Sequence, residues 1–334
     1  MIQSKIGLPI VTQLAETNME TALRPSRWKI LLAFAIIYLV WGSTFLTIRI
    51  GVREVPSFLL AGMRFFIAGI VLYAWMRVKG TPSPTRRQWA AISFLAVLIF
   101  VFDYGLIFWA EKRVASGVTA VMMATIPVFM AIAEICFLRA QKLTIRLALA
   151  LMVGVGGVLV LVGPLSGAGE KAIDTSGAIA LIVAAISWSA ATILTRKFSL
   201  PESKVMSSGA QMLVGGVLLI LTAAGLREFN GFDIRAVTPG AWFALLYLIV
   251  AGSIVAFTAY VWLIHHESPT KVGTYAYVNP VIAVLLGYAL AGESLSARTM
   301  AGTVLILISV VVITTTPKKK LDVVLEREAE LAEP

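Results

Sequence analysis

Apolar residues in this chain fall in runs of about twenty, the length a helix needs to cross the roughly 30 Å hydrocarbon core of a bilayer. The runs lie near residues 28–48, 57–77, 89–109, 114–138, 145–162, 177–195, 205–225, 241–263, 272–291 and 297–315. Short connections rich in Pro, Gly and charge part them, as at 80–84, 164–169 and 201–204. The pattern predicts an all-α membrane protein of ten transmembrane helices with no separate soluble domain. The most informative run is TYAYVNPVIAVLL, residues 274–286. Pro280 has no backbone N–H, so it frees a carbonyl one turn earlier and kinks a helix. Asn279 brings two donors and an acceptor to the same point. In lipid such groups need a partner on a neighbouring helix or in a wet cavity. Two readings stand: a kink packed against other helices, or a helix lining a substrate path.

Composition narrows the class. The chain is 59% apolar and 14% charged, against about 25% charged in a soluble domain. Its net charge of +10 is not a nucleic-acid signature, because the basic residues sit in alternate loops. With the N-terminus inside, the cytoplasmic segments hold Lys5, Arg24, Arg27, Lys29, Arg77, Lys79, Arg86, Arg87, Arg139, Lys142, Arg146, Arg196, Lys197, Lys204, Lys271, the Lys318–Lys320 run and Arg327. The outer segments hold only Arg49, Arg53, Lys112, Arg113, Lys171, Arg227, Arg235 and Arg298. This bias orients a multi-pass protein of the inner (cytoplasmic) membrane with both termini, tails 1–27 and 317–334, in the cytoplasm. It also requires an even number of spans. Residues 1–27 lack the basic head, apolar middle and small-residue cleavage site of a signal peptide, so the first run is expected to stay as an anchor. The single cysteine, Cys136, excludes an intrachain disulfide and a cysteine metal cluster and reads as a small packing residue. His265 and His266 are adjacent at a helix end, a poor arrangement for zinc, and read as a partly solvated pair. No cofactor is expected.

The chain can be laid against itself. Trp41 falls on Trp188, and in that frame Arg49 meets Arg196, Gly62 meets Gly209, Arg64 meets Gln211 and Gly69 meets Gly216. Further on, Pro127 in ATIPVFMAI falls on Pro280, and Trp109 on Trp262. Each half, 28–163 and 176–316, then has five spans. Five is odd, so the second half enters the membrane from the opposite side. Such inverted repeats are a building plan of secondary transporters, with the substrate site between the halves near the midplane. The stretches WGSTFLTIRIGV (41–52), AGMRFFIAG (61–69), AEKRVASG (110–117), TYAYVNP (274–280) and GESLS (292–296) resemble the drug/metabolite transporter superfamily, in its EamA-type form with two tandem copies of one repeat. The resemblance spans both halves and implies a ten-helix bundle, a central cavity and alternating access, most often for export of small metabolites, amino acids or drugs. Two departures stand out. GESLS has no acidic counterpart in the first half, where FLRAQKLT carries Gln141, and Asp103 stands where many relatives have a small or amide residue.

Ionisable groups inside spans are costly and mark functional sites. Arg64 and Asp103 both lie roughly 10 Å in from the outer ends of their spans at 1.5 Å per residue. Matched depth suggests that they pair or face each other across the outer cavity. Arg64 reads equally as a structural residue bonding helix carbonyls. Asp103 reads as a proton carrier, because low dielectric favours its neutral form, or as the partner of Arg64, which favours the charged form. Glu134 reaches for the inner interface, whereas Glu111 and Glu293 at outer helix ends are expected to bond loop amides or basic residues. Among the aromatics Trp41 and Trp188 are deep and repeat-related, suited to stacking on a substrate. Tyr38, Tyr104 and Tyr260 join them as candidates. Tyr275 and Tyr277 point about 200° apart on a regular helix, while Asn279 shares the Tyr275 face. Tyr275 and Asn279 are therefore preferred as lining residues, with Pro127 and Pro280 as hinges. Gln211 offers an amide where the first half has the Arg64 cation, an asymmetry that favours a substrate carboxylate near Arg64.

These features point to a secondary transporter exporting a small organic solute, with the bilayer and that solute as its partners. A passive facilitator or channel is the alternative. An ATP-driven pump is excluded, since the Gly154–Gly157 glycines lie within a span and no Lys-Ser/Thr follows. No HExxH, GxSxG with a partner His, or paired acidic cluster supports a membrane-embedded enzyme. A nucleotide-sugar carrier would need a more cationic cavity than Arg64 alone supplies.

Overall fold

The computed structural model describes residues 26–136, 143–162, 173–195, 197–267 and 269–315. The tails, the segment carrying Arg139, Gln141 and Lys142, residues 163–172, Arg196 and the side chains of Glu134, Cys136 and His265 lie outside the described residues. The described chain is helical. Helix α1 spans Arg27–Val52, α2 Ser57–Val78 and α3 Arg86–Ala110. Helix α4 comes in two pieces, Ser116–Met123 and Ile126–Cys136, and α5 spans Ile145–Val162. Helix α6 spans Thr175–Thr195 and α7 Lys204–Gly225. Helix α8 runs through Pro239–Tyr247, Leu248–Val255 and Ala256–His266. Helix α9 spans Tyr275–Ala291 and α10 Ala297–Thr315. Among the described residues eight helices are long and apolar enough to cross a bilayer, and α9 and most of α5 are shorter apolar helices.

The helix starts are written locally. Thr85 and Gln88 form a reciprocal capping box at the head of α3. Ser203 accepts from Met206 N at the head of α7, Asp174 from Gly177 N at the head of α6, and Thr238 from Ala241 N just ahead of Pro239. Each cap satisfies a donor that the first turn leaves orphaned. Helix α9 stops at Gly292, whose φ of 64° places it in the left-handed region that glycine adopts without strain.

Packing follows a pattern in which helix numbers shift by five. Helix α1 packs on α8 and α9, and α6 packs on α3 and α4. The most extensive contacts join α2 to α7 and α5 to α10. Both pairs run antiparallel. Gly62 lies against Gly216 and Ile220, Gly69 against Leu213, and Gly209 against Tyr73, so residue numbers rise on α2 as they fall on α7. A methyl on Gly209 would sit 2.9 Å from the Tyr73 nitrogen, so glycine is what lets the backbones approach. On the other pair Arg146 bonds Thr315, Ser309 bonds the Ala150 carbonyl, and Gly157 faces Gly302. The outer surface is apolar, with Leu39, Leu149, Leu159, Leu290 and Ile308 all exposed, as lipid contact requires.

Three local features depart from ten regular rods. The fourth span breaks at Ala124–Thr125, just ahead of Pro127, which then sits in the first turn of the next piece where its missing N–H costs nothing. In α9, whose Pro280 aligns with Pro127 in the sequence, the helix runs unbroken through the proline, and the interruption comes earlier, at Gly273–Thr274, after a short helix Pro269–Val272. Finally, α3 and α8 each carry a π segment, Val97–Gly105 and Leu248–Val255. Such wide turns redirect side chains and leave carbonyls for other donors, and they recur at functional sites.

Candidate functional site

The π segments organise the interior. Trp41 of α1 donates its Nε1–H to the Gly252 carbonyl in the α8 segment at 3.1 Å. Ser187 of α6 donates to the Leu98 carbonyl in the α3 segment at 2.9 Å. The two helices that carry the repeat-related tryptophans are thus each bonded to a wide turn of the opposite half.

Each tryptophan sits in an aromatic cluster. Trp41 packs on Tyr260 of α8 at 5.3 Å and edge-on to Tyr275 of α9 at 5.1 Å. Those two tyrosines meet at 5.9 Å, nearly perpendicular. Trp188 of α6 meets Tyr104 of α3 edge-on at 6.0 Å. Tyr104 in turn packs on Phe65 at 4.6 Å and Phe100 at 5.9 Å. In both clusters the tryptophan of one half rests on a tyrosine of the other. Gly252, whose carbonyl takes the Trp41 bond, stands beside Arg64, and the Arg64 guanidinium lies 5.6 Å from the Tyr104 ring, so the two clusters meet at that residue.

Arg64 stands between them. Only 3% of it is exposed. Its Nε donates to Ser253 Oγ at 2.9 Å, and that hydroxyl donates to the Leu248 carbonyl within the π segment. The guanidinium carbon lies 4.6 Å from the Phe65 ring centre, 5.6 Å from Tyr104 and 5.9 Å from Phe108. Nη1 is buried without a hydrogen-bond partner.

The structure does not pair Arg64 with Asp103. Asp103 is buried, and its Oδ1 has no partner among the described residues. The physical reason is azimuth. Arg64 lies over the face of α3 that carries Tyr104 and Phe108, and Asp103, one residue before Tyr104 in the wide turn, points to a different side of the helix. Equal depth in the bilayer says nothing about facing. Arg64 reaches a helix carbonyl only through Ser253, whose hydroxyl takes the Nε–H and donates in turn to the Leu248 carbonyl.

The other candidates divide. The Tyr38 hydroxyl bonds Thr274 Oγ1 at 2.5 Å, tying α1 to the turn ahead of α9. With its amide nitrogen turned toward two carbonyls, Asn279 donates to Tyr275 O and Tyr38 O at 3.3 Å each, which joins α9 to α1 from a buried position. Gln211 donates to Ser207 Oγ on its own helix at 3.1 Å. Tyr277 leaves the Tyr275 face, and its hydroxyl meets Thr314 on α10.

One end of the bundle is tied by carboxylates. Glu293 accepts from Ser116 N and Oγ at 2.8 Å each and from Gly117 N at 3.1 Å, and its Oε1 lies 3.3 Å from Arg49 Nε. Arg49 also donates to the carbonyls of Glu111 and Val114. Glu228 accepts from Phe58 N and Leu59 N, and Glu54 from Thr238 N and Oγ1. Glu111 bonds through its backbone, while both carboxyl oxygens are buried without partners. Burial holds this carboxyl well above the ordinary range, with Arg49 pulling it down and Glu293 pushing it further up. Ser253, Gly252 and the π segments were invisible to residue-type reasoning. The signal for them was the helix-tolerated Gly252-Ser253 pair in an otherwise apolar run.

Comparison with known proteins agrees with this architecture. The EamA-like transporter family matches residues 27–163 and 175–315. The "Uncharacterized inner membrane transporter YedA" of Escherichia coli K12 is 34% identical over 84% of this chain and 89% of its own length. "Protein PecM" of Dickeya dadantii is 27% identical over 82% of this chain and 88% of its own. A solved crystal structure at 22% identity and TM-score 0.59, covering 87% of this chain and 99% of its own, shares the fold. The chain belongs to the EamA-like transporter family: it is a multi-pass inner-membrane transporter and not an enzyme.

Proposed function

We propose that the protein is a secondary transporter that exports a small organic solute, an amino acid or a drug-like metabolite, by alternating access between two inverted five-helix halves, 28–163 and 176–316. The observation that carries this reading is the exchanged pairing of the tryptophans. Trp41 of the first half rests on Tyr260 and Tyr275 of the second, and Trp188 of the second rests on Tyr104 of the first. A solute held between these rings touches both halves, so rocking one half against the other changes which side can reach it. The antiparallel α2/α7 and α5/α10 pairs support the inversion. The distribution of basic residues supports cytoplasmic termini and assigns the Glu293 end to the outside. The bonds of Glu293, Glu228 and Glu54 then hold the outer helix ends together. Pro127, beside the break in α4, and Pro280 in α9 serve as hinges in this reading. Tyr38, Trp41, Arg64, Asp103, Tyr104, Trp188, Gln211, Tyr260, Tyr275 and Asn279 form the substrate region, with Tyr38, Gln211 and Asn279 acting through the packing of its walls.

The test is counterflow in proteoliposomes. Vesicles preloaded with a pool of unlabelled amino acids and metabolites receive the same solutes in labelled form. A carrier shows accelerated uptake of its own labelled substrate into the loaded vesicles, and Trp41→Ala and Trp188→Ala lower that exchange. Flux that follows the gradient with no acceleration would make the protein a passive channel.

A further inference from the structure

We propose that Arg64, Ser253 and Gly252 form an anion subsite, so that the transported solute is an organic acid carrying a carboxylate beside an apolar or aromatic body. The proposal rests on the transporter reading and deepens it. A guanidinium taken out of water is stable only when it is paired and hydrogen-bonded. Arg64 is 3% exposed, and Ser253 Oγ is its hydrogen-bond partner. Neither Asp103 nor any other described carboxylate forms an ion pair with it. Glu293 pairs with Arg49, and Glu267 with Lys271. The three ring faces of Phe65, Tyr104 and Phe108 stabilise the cation, but they bring no negative charge.

The geometry leaves one edge of the fork for a ligand. Ser253 occupies Nε, and Nη1 is buried with its donors unused. On the Nη2 flank stands Gly252. A methyl there would sit 3.3 Å from Nη2 and 3.2 Å from Thr44 Cγ2, tighter than ordinary contact, so glycine lets the α8 backbone pack close beside the guanidinium and any larger residue would press on it. Two oxygens of a carboxylate match the Nη1/Nη2 edge of a guanidinium. The body of such an acid would then lie toward Tyr104, which Trp188 backs, and toward Trp41, whose indole bonds the Gly252 carbonyl. The matched residue in the other half, Gln211, bonds within its own helix, so the anion site is single.

The experiment measures binding to the purified full chain in detergent and requires no flux. Phenylacetate and its uncharged isostere phenylacetamide are titrated while the thermal midpoint and the tryptophan fluorescence are followed. A ligand of the native state raises the midpoint by mass action. Phenylacetate is expected to bind about tenfold or more tightly than the amide, the size of one charge-assisted pair. Arg64→Gln removes the preference, and Arg64→Lys keeps part of it. Gly252→Ala keeps the charge but presses on Nη2, so it weakens phenylacetate several-fold and diminishes its preference over the amide. Equal effects of the two probes on the unmodified protein, including none, overturn the proposal. So does a preference that survives Arg64→Gln. Where Arg64→Gln does not yield a monodisperse protein, an undiminished preference in Gly252→Ala overturns it. Carboxylate binding without counterflow would sink the transporter reading and leave the anion site standing. Counterflow of neutral or cationic solutes alone would do the reverse.

Discussion

Glu293→Gln probes the tie between the end of α9 and the head of α4. The carboxylate is largely buried and takes three hydrogen bonds, from Ser116 N, Ser116 Oγ and Gly117 N, beside its contact with Arg49. Hydrogen bonds to a charged group contribute about 1.5–3 kcal/mol each, and an anion at a helix N-terminus adds about 0.3–1 kcal/mol. Glutamine keeps one acceptor, which retains the Ser116 bonds in weaker, uncharged form. It turns an NH2 toward Gly117 N–H and removes the charge facing Arg49. One charge-assisted bond and the helix-end term are lost outright, so the expected cost is about 2–4 kcal/mol. Ser116→Ala alone costs about 1.5 kcal/mol by the same scale. In the Glu293→Gln background it costs less, leaving a coupling of about 1 kcal/mol, because the two changes share a bond. The measurement is denaturant unfolding in micelles of the four proteins of the cycle, with amide exchange at Ser116 and Gly117 followed in parallel. A Glu293→Gln protein within about 0.5 kcal/mol of the parent, the scatter of ordinary surface changes, would refute the assignment of this carboxylate as the cap of α4.

Glu111→Gln is expected to flatten the dependence of stability on pH. Burial raises the folded carboxyl above its unfolded value, so the group contributes stability below the ordinary carboxylate range and loses it as pH climbs through the raised folded value. The difference between parent and variant, followed by unfolding from about pH 5 upward, isolates that one group, and parallel curves would remove the assignment. At the α2/α7 contact, Gly216→Val drives a side chain into the Phe66 backbone and costs about 1–3 kcal/mol, whereas Gly156→Ala, with nothing within 4 Å of the new methyl, is neutral or gains up to about 1 kcal/mol. Equal thermal midpoints for these two variants would contradict the close approach of the helices. Trp41→Phe keeps a ring on Tyr260 and Tyr275 but loses the bond to the Gly252 carbonyl, a cost of about 1 kcal/mol that Trp41→His would partly restore. Identical unfolding of both variants and the parent would deny the bond a role.

Much of the architecture was legible because the bilayer imposes it. Helix lengths follow hydrocarbon thickness, and the runs at 57–77, 177–195 and 297–315 fall within a few residues of the observed α2, α6 and α10. Caps such as Thr85-x-x-Gln88 announce themselves in the same local way. Of the two acids read as bonding loop amides or basic residues, Glu293 meets Arg49 and the first-turn amides of α4, whereas the Glu111 carboxyl oxygens have no partner among the described residues. The break in α4 and the two π segments were not foreseen. They hold Thr125, Asp103, Gly252 and Ser253 in runs whose composition also suits a regular helix.

Residue order determined which stretches are long and apolar enough to cross a membrane and where they start, because length, polarity and capping are local properties that lipid reads directly. Which side of each helix faces inward was a different matter. A helix that is apolar all round carries no stripe to point it, since lipid and protein interior accept the same residues. Facing was decided where glycines let α2 approach α7 and where Trp41 and Ser187 reached carbonyls of the opposite half. That is why Arg64 and Asp103, level along the membrane normal, part company in the folded protein, with Arg64 turned to Ser253 and a ring of aromatic faces.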